Sequence, residues 1–138
     1  MKFLVAIDGS EASENAVYFA SKLARESNSE ITIIYVIPTI WGTKEDIIVL
    51  VKEEMGNPEK IGKKYLERAL NIAKENGAIA DKKLLQGNPV KEILKEAEKG
   101  YDMIIMGYHG KGKLNELLMG SVASKVLRLS KLPVLLVR

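Results

Sequence analysis

The sequence has no cysteine and a single histidine among its 138 residues. The lack of cysteine excludes disulfide bonds and thiol catalysis, and with only one histidine a structural zinc site is not expected. Long apolar runs are missing too, since the longest one in the middle of the chain, Ile47–Val51, is far short of a membrane span. The apolar run after Lys2 stops at Asp8, which is too early for a signal peptide. We therefore expect a cytoplasmic protein with no membrane partner.

Acidic residues are scarce in the last part of the chain, although the net charge is only +3. Residues 103–138 contain six lysines and arginines but one acidic residue, Glu116. A basic segment suits a phosphorylated ligand, and lysines that merely keep the surface solvated fit the same composition. No aromatic platform or recognised motif accompanies these lysines, so no specific nucleic-acid binding is expected.

Strand and helix patterns alternate five times along residues 1–138 with no linker or repeat, which indicates a single domain. The patterns predict strands over 3–7, 31–37, 79–86, 103–106 and 134–137. They predict helices after a cap at Ser10, over 59–76, after Asn88-Pro89 and from Gly120-Ser121. The apolar faces expected for the first and last helices are Ala12, Ala16, Phe19, Ala20, Leu23 and Ala24, and Val122, Val126 and Leu129. Residues 39–59 are the hardest to interpret and allow a short helix over 45–55.

This alternation predicts an α/β fold with a five-stranded parallel sheet and helices on both faces. Charged residues in the middle of the third strand, Asp81, Lys82 and Lys83, favour an edge position for it. With right-handed crossovers the predicted strand order is 3-2-1-4-5. Ligands of such sheets bind beyond the carboxyl ends of the strands where the winding reverses, which here lies between Asp8 and Gly107.

The segment after the fourth strand is rich in glycine: Gly107, Gly110 and Gly112 are followed by Gly120-Ser121. Glycines let a backbone approach a ligand closely, and amides in such a loop or at a helix start can bind anions. The same glycines could simply form a turn. A P-loop is matched only in part, because Leu114 follows Lys113 where a hydroxyl residue is needed. A phosphoacceptor domain would need an acidic pair, and Asp8 has no acidic neighbour.

The chain resembles the ATP-binding branch of the universal stress protein family. Gly107, Gly110, Gly120 and Ser121 match that branch's Gly-x2-Gly-x9-Gly-Ser motif. The likeness extends from residues 4–10 through the Gly87-x-Pro89 turn and residues 102–107 to residues 133–137, and it leaves residues 39–59 unaligned. It implies a fold of the adenine nucleotide alpha hydrolase type.

The resemblance also implies a set of binding residues. Asp8 would bind the ribose hydroxyls, Ala6 and Ile7 would wall the base, and the backbone of Val36 would meet the adenine edge. Gly107 would lie near the ribose, and Met106 and Gly87 would be secondary wall positions. The phosphates would be held by backbone N–H groups of Gly110, Gly120, Ser121 and Val122 and by the Ser121 hydroxyl. Two of these residues have alternative roles, because Asp8 could cap the turn into the first helix and Ser121 could be a helix N-cap.

We expect different roles for the lysines and the histidine of the loop. Lys111 and Lys113 suit a screened contact with phosphate. His109 has no evident catalytic partner, so we expect it to order the loop or face solvent rather than touch phosphate. No catalytic residue and no metal ligand is assigned.

The function expected from these features is an ATP-binding regulatory or stress-response protein. Magnesium or manganese is expected to accompany the ATP. A slow ATPase or phosphotransferase that acts with a partner, and an interaction module without a ligand, are the alternatives. The resemblance further implies a homodimer through the strand at 133–138, paired antiparallel across a two-fold axis.

Overall fold

The computed structural model describes residues 1–39, 56–110 and 118–138. Within these ranges strands and helices alternate as the sequence pattern predicts. In chain order they are β1 (Lys2–Ile7), α1 (Glu11–Glu26), β2 (Glu30–Pro38), α2 (Pro58–Glu75), β3 (Ile79–Gly87), α3 (Pro89–Ala97), β4 (Met103–Gly107), α4 (Ser121–Leu129) and β5 (Val134–Val137). The short helix expected over 45–55 lies outside the described residues. None of the described helices has the length and apolar composition needed to cross a bilayer.

The five strands form one parallel sheet in the order β3-β2-β1-β4-β5. This confirms the predicted order and the edge position of β3, whose Asp81, Lys82 and Lys83 are exposed. Charged side chains on an edge strand discourage pairing with other chains. The central strands β1 and β4 are the most deeply buried, as a parallel sheet covered on both faces requires.

Alternate residues of the strands supply two separate cores. One core, under α1 and α2, is built on Phe3 and Val5 of β1. The other, under α3 and α4, is built on Leu4 and Ala6. Helices therefore cover both faces of the sheet.

Helix α1 approaches the sheet through small residues. The side of α1 that is buried consists of Ala12, Ser13, Ala16, Val17, Ala20, Ser21 and Ala24. The expectation that Phe19 belongs to this face is wrong, because Phe19 is 47% exposed whereas Val17 is fully buried. Leu129 is likewise exposed at the end of α4. Small side chains let the helix axis lie close to the strands, and a phenyl ring on that face would hold the axis away.

Side-chain caps begin the first three helices. Ser10 Oγ accepts a hydrogen bond from Ser13 N–H at 3.1 Å, and Asn88 Oδ1 accepts one from Lys91 N–H at 3.0 Å. Both caps agree with the sequence-based expectation. The third cap, Asn57, accepts from Glu59 N–H at 3.0 Å and falls in the stretch that sequence patterns could not resolve.

Helix α3 is tied to the edge of the sheet by a buried carboxylate. Glu96 is 2% exposed and accepts hydrogen bonds from Lys83 Nζ at 2.7 Å and Tyr101 Oη at 2.9 Å, with Lys99 Nζ 3.0 Å away. Burial alone would raise the pKa of Glu96, but the hydrogen bonds from Lys83, Lys99 and Tyr101 outweigh burial and lower the pKa to about 2. The pKa of Lys83 is raised chiefly by its hydrogen bond to Glu96. The pair thus stays charged over the whole neutral range.

Strand lengths differ at the carboxyl edge of the sheet. The last pair between β1 and β2 is Ile7 with Tyr35, but β2 continues to Pro38 alongside β3. On the other side β1 and β4 end level, since Ile7 and Gly107 each lie one residue past their last pair, Ala6 with Met106. Gly9, with φ of +82°, then turns the chain from β1 into α1, a conformation that favours glycine. Because β2 extends three residues past the end of β1, a gap is left above β1 on that side.

Candidate functional site

A cavity of about 320 Å³ occupies the gap above the end of β1. We refer to it as the carboxyl-edge cleft. Its volume lies within the range of about 300–1,000 Å³ that is usual for small-molecule sites. It opens where the winding of the sheet reverses, as the sequence predicts. The ten residues expected to bind a ligand all line it: Ala6, Ile7, Asp8, Val36, Met106, Gly107, Gly110, Gly120, Ser121 and Val122.

The fold brings these ten residues together, while their contact with a ligand stays a prediction. Gly87, expected as a secondary wall position, is not among the lining residues. It lies at the end of β3, where its C=O accepts a hydrogen bond from Thr39 N–H at 3.0 Å. Lys111 and Lys113 lie outside the described residues.

The motif glycines are packed against backbone and against Asp8. A Cβ atom at Gly107 would lie 2.9 Å from Ala12 C and from Ser13 N of α1. A Cβ at Gly110 would lie 3.1 Å from Asp8 Oδ2, and one at Gly120 would lie 3.2 Å from Gly110 N. The absence of side chains at these positions therefore allows the loop, the end of β1 and the start of α4 to come together around the cleft.

Helix α4 points its N-terminus at the cleft. Gly120 is its N-cap, and the first intrahelical hydrogen bond runs from Ser124 N–H to Gly120 C=O at 2.9 Å. The alternative that Ser121 is the N-cap is therefore wrong. The amides of Ser121, Val122 and Ala123 lie outside the helical ladder, as the first amides of every helix do. All three residues line the cleft, so the positive end of the helix dipole faces it.

The amide of Gly120 has another use in this structure. It donates a hydrogen bond to Tyr108 C=O at 2.8 Å. Gly120 thus lines the cleft but does not offer it an N–H group, which differs from the role expected from the motif. The amides of this wall that lie outside the helical ladder are therefore those of residues 121–123.

Asp8 closes the floor of the cleft at the end of β1. Its Oδ1 accepts a hydrogen bond from Ser10 N–H at 2.9 Å, which confirms the turn-capping role considered for it. Its other oxygen is the one that faces the Cβ position of Gly110. Among the lining residues that the structure describes, Asp8 is the one carboxylate, and no lysine or arginine is present.

Apolar side chains line the opposite end of the cleft. They include Ala6, Val36 and Met106. Over the whole cleft, sequence reasoning missed these lining residues: Ser13, Ile34, Tyr35, Pro38, Pro89, Ile93, His109 and Ala123. Ile34 could have been found because it lies two residues before Val36 and shares its face of the strand. Ile93 could not, because its place depends on how α3 packs on the sheet. Burial raises the pKa of Tyr35, and the neighbouring Tyr65 and Asp8 charges raise it further, so its phenol stays neutral.

His109, which is expected to order the loop or face solvent, is partly exposed and lines the cleft. Its ring meets that of Tyr108 edge-on, with centroids 5.7 Å apart. Its Nδ1 atom is buried and makes no hydrogen bond to any part of the chain that the structure describes. In residues 1–39, 56–110 and 118–138 there is no group of three or more His, Cys, Asp or Glu side chains that could hold a metal ion.

Known proteins resemble the chain along its whole length. A model described as the universal stress protein family matches residues 1–138. The universal stress protein YxiE of Bacillus subtilis is 41% identical over 99% of this chain and 98% of its own length. Among solved structures, the universal stress protein UspA from Lactobacillus plantarum is similar in fold, with a TM-score of 0.82 at 21% identity over 100% of this chain and 97% of that one. A universal stress protein solved in complex with cAMP has a TM-score of 0.73 at 27% identity, again over 100% of this chain and 97% of that one.

Proposed function

This chain belongs to the universal stress protein family, and we propose that it is an ATP-binding regulatory protein of the stress response that holds the nucleotide in the carboxyl-edge cleft. One observation carries the proposal: the amides at the start of α4, which lie outside the helical ladder, line the same cleft as Asp8. Helix N-termini favour anions such as phosphate. The cAMP complex of a relative supports an adenine nucleotide as the ligand class.

The base is assigned to the apolar end of the cleft. Ala6, Val36 and Met106 wall a slot whose lining is almost entirely uncharged. Past Tyr35 the backbone of β2 has no partner in β1, so its polar groups on that side can meet the edge of a purine. The ribose would then lie near Asp8, since a carboxylate accepts hydrogen bonds from both sugar hydroxyls.

The phosphates are assigned to the start of α4. A hydrogen bond to a charged group contributes about 1.5–3 kcal/mol. The amides of Ser121, Val122 and Gly110 together could therefore supply much of the roughly 8 kcal/mol that corresponds to micromolar affinity. Magnesium or manganese would enter on the phosphate oxygens, as is usual for nucleotides. The regulatory output would be a change of conformation or of partner on binding.

A homodimer through β5 forms part of the proposal. Within the described sheet β5 pairs with β4 on one side only, and all four of its residues are partly exposed. An open strand edge of this kind offers unpaired backbone groups to a second copy of the chain. Two-fold pairing would use the same surface on both copies.

Isothermal titration with ATP at near-physiological salt tests the nucleotide site. We expect micromolar binding by the wild-type protein and about 10- to 100-fold weaker binding by Ser121→Glu, because the new carboxylate would lie beside the phosphates. Ser121 is exposed, so this change should not disturb folding. Leu127→Glu adds the same charge to an exposed position farther along α4 and should bind ATP like the wild type.

Two results would reject the proposal. If titration of the wild-type protein with ATP up to millimolar concentration gives no heat above the buffer background, the protein has no nucleotide site. Equal affinities for wild type and Ser121→Glu would show that the phosphates do not lie at the start of α4.

A further inference from the structure

An aromatic side chain stands exposed beside the open edge of β5. Phe19 of α1 is 47% exposed, whereas the face of α1 that packs on the sheet consists of small residues and Val17. Single apolar side chains on a surface are common and need no explanation. Phe19 differs from them because of the strand that lies next to it, and contacts on both sides of α1 fix that position.

One side of α1 faces β5. Asn15 Nδ2 donates a hydrogen bond to the main-chain oxygen of Arg138, just past the end of β5, at 3.1 Å. Residues four apart lie in a row along one side of a helix, so Phe19 and Leu23 follow Asn15 along this side. Leu23 packs against the same core as Leu135 of β5. The row Asn15-Phe19-Leu23 therefore runs beside β5.

The other side of α1 faces α2. Glu14 forms an ion pair with Arg68 of α2, with its Oε1 2.8 Å from the arginine Nε. Tyr18 and Lys22 lie in the same row as Glu14, and the Lys22 ammonium is 5.3 Å from the centroid of the Tyr18 ring. Tyr18 and Phe19 are thus exposed to nearly the same degree, 48% and 47%, on different sides of α1. Of these two rings, that of Phe19 is the one that borders the strand edge.

Phe19 and the nearby strand edge form one apolar surface, which we call the β5 shoulder: Phe19, Leu23, Leu135 and Val137. The three aliphatic side chains are partly exposed and pack against the core under α1. A stable protein dimer buries about 1,200–2,000 Å² in total. Two four-residue strands offer backbone hydrogen bonds and a narrow strip of side chains, so a dimer built on β5 needs further surface beside the strand. The β5 shoulder supplies such a surface.

From this arrangement we propose that the β5 shoulder binds the same surface of a second copy of the chain, with Phe19 as the aromatic anchor of the interface. The inference rests on the homodimer in the proposed function and adds a helix to an interface that otherwise consists of one strand. Antiparallel strands of one sheet are related by a two-fold axis perpendicular to the sheet, so both copies of α1 lie on the same face of the joined sheet. Each Phe19 then lies beside the seam between the two β5 strands. Buried aromatic rings of this kind carry much of the binding energy of protein interfaces.

The dissociation constant of the dimer tests the role of Phe19. We expect Phe19→Ala to raise it about 10- to 100-fold in sedimentation equilibrium, because the partner no longer buries the ring. Phe19→Leu, which keeps an apolar side chain, should recover part of the affinity. Tyr18→Ala removes an equally exposed ring from the side of α1 that faces α2, and it should leave the dissociation constant unchanged. Circular dichroism and urea unfolding verify that the variants fold.

The ring itself gives a second, independent readout. The chain has two phenylalanines, and the other one, Phe3, is 1% exposed in the core. In protein labelled with fluorophenylalanine, the ¹⁹F signal of Phe19 should shift between dilute and concentrated samples, while that of Phe3 stays in place. The spectrum of Phe19→Leu assigns the two signals.

The outcomes separate this inference from the proposed dimer. Suppose that the wild type is a dimer and that Leu135→Lys dissociates it. An unchanged dissociation constant in Phe19→Ala, or an unmoved Phe19 signal, would then overturn the role of Phe19 and leave the β5 dimer standing. A monomeric wild-type protein, or a dimer that Leu135→Lys leaves intact, would overturn both.

Discussion

At each of the three motif glycines, Gly107, Gly110 and Gly120, a different neighbour restricts the space for a side chain. At Gly107 the neighbouring atoms are backbone atoms of α1, which cannot move aside without shifting the helix. At Gly110 the neighbour is the end of the Asp8 side chain, and at Gly120 it is the backbone of Gly110. None of the three has a positive φ, so close approach and not backbone conformation requires glycine here.

Alanine substitutions should separate a packing role from a binding role. Gly107→Ala should lower the free energy of unfolding by about 1–3 kcal/mol, because its methyl group would overlap the backbone of α1. Gly110→Ala should cost less than about 1 kcal/mol, since Asp8 can shift, but it should weaken ATP binding by displacing that carboxylate. Urea unfolding and calorimetry on both variants measure the two effects. Equal losses of stability would contradict this distinction.

The residues that line the site could largely be predicted from the sequence, but several of their hydrogen-bond partners could not. Motif spacing identified Gly110, Gly120 and Ser121, and all of them line the cleft. The hydrogen bond from Gly120 N–H to Tyr108 C=O joins residues that are distant in the sequence, and no local pattern records it. The burial of His109 Nδ1 was not predicted from the sequence either.

Among the secondary-structure elements, the order and type of the strands were predictable, while the details of helix packing were not. Apolar runs and turn residues determined the five strands, and the charges of β3 correctly indicated an edge. On α1 the three-and-four spacing placed Phe19 on the buried face, yet the face that packs on the sheet is made of alanines, serines and Val17. Periodicity alone could not choose between faces that both contained apolar residues.

Strand β5 gives a prediction at this scale. Leu135→Lys should convert the proposed dimer into a monomer, because lysine on an open strand edge discourages strand pairing. Light scattering should then give half the mass of the wild type, with circular dichroism to verify folding. Ile79→Lys, the corresponding change on the opposite edge strand, concerns a residue that is 71% exposed and should leave the mass unchanged. A folded Leu135→Lys protein of wild-type mass would contradict the dimer.

At the scale of the whole molecule, Glu96 connects α3 to the outer strand β3 through Lys83. The pKa of Glu96 in the folded protein is about 2, below the ordinary value of 4.5. A carboxylate whose pKa is lowered by folding stabilises the protein fully above the unfolded pKa. The stabilisation is lost as the pH falls from 4.5 toward 2.

Glu96→Gln should therefore reduce the free energy of unfolding at pH 7 by about 3 kcal/mol, the energy equivalent of that pKa difference. The reduction should shrink as the pH is lowered from 4.5 and become small near pH 2, where about half of the folded wild-type carboxyls are protonated. Urea unfolding over this pH range measures the effect. Glu98→Gln, at an exposed position of the same segment, is the matched control. A pH-independent difference between Glu96→Gln and wild type would refute this account.

The gap above β1 exists because β2 extends past Tyr35 by the residues 36–38. At about 3.3 Å per residue this makes the recess about 10 Å deep. Lengthening β1 by one residue would turn its following side chains to the wrong face of the sheet, so only steps of two residues, about 7 Å, preserve both cores. A single such step would remove most of the recess. The depth of the carboxyl-edge cleft therefore changes in steps of two residues, and changes in strand length cannot adjust it gradually.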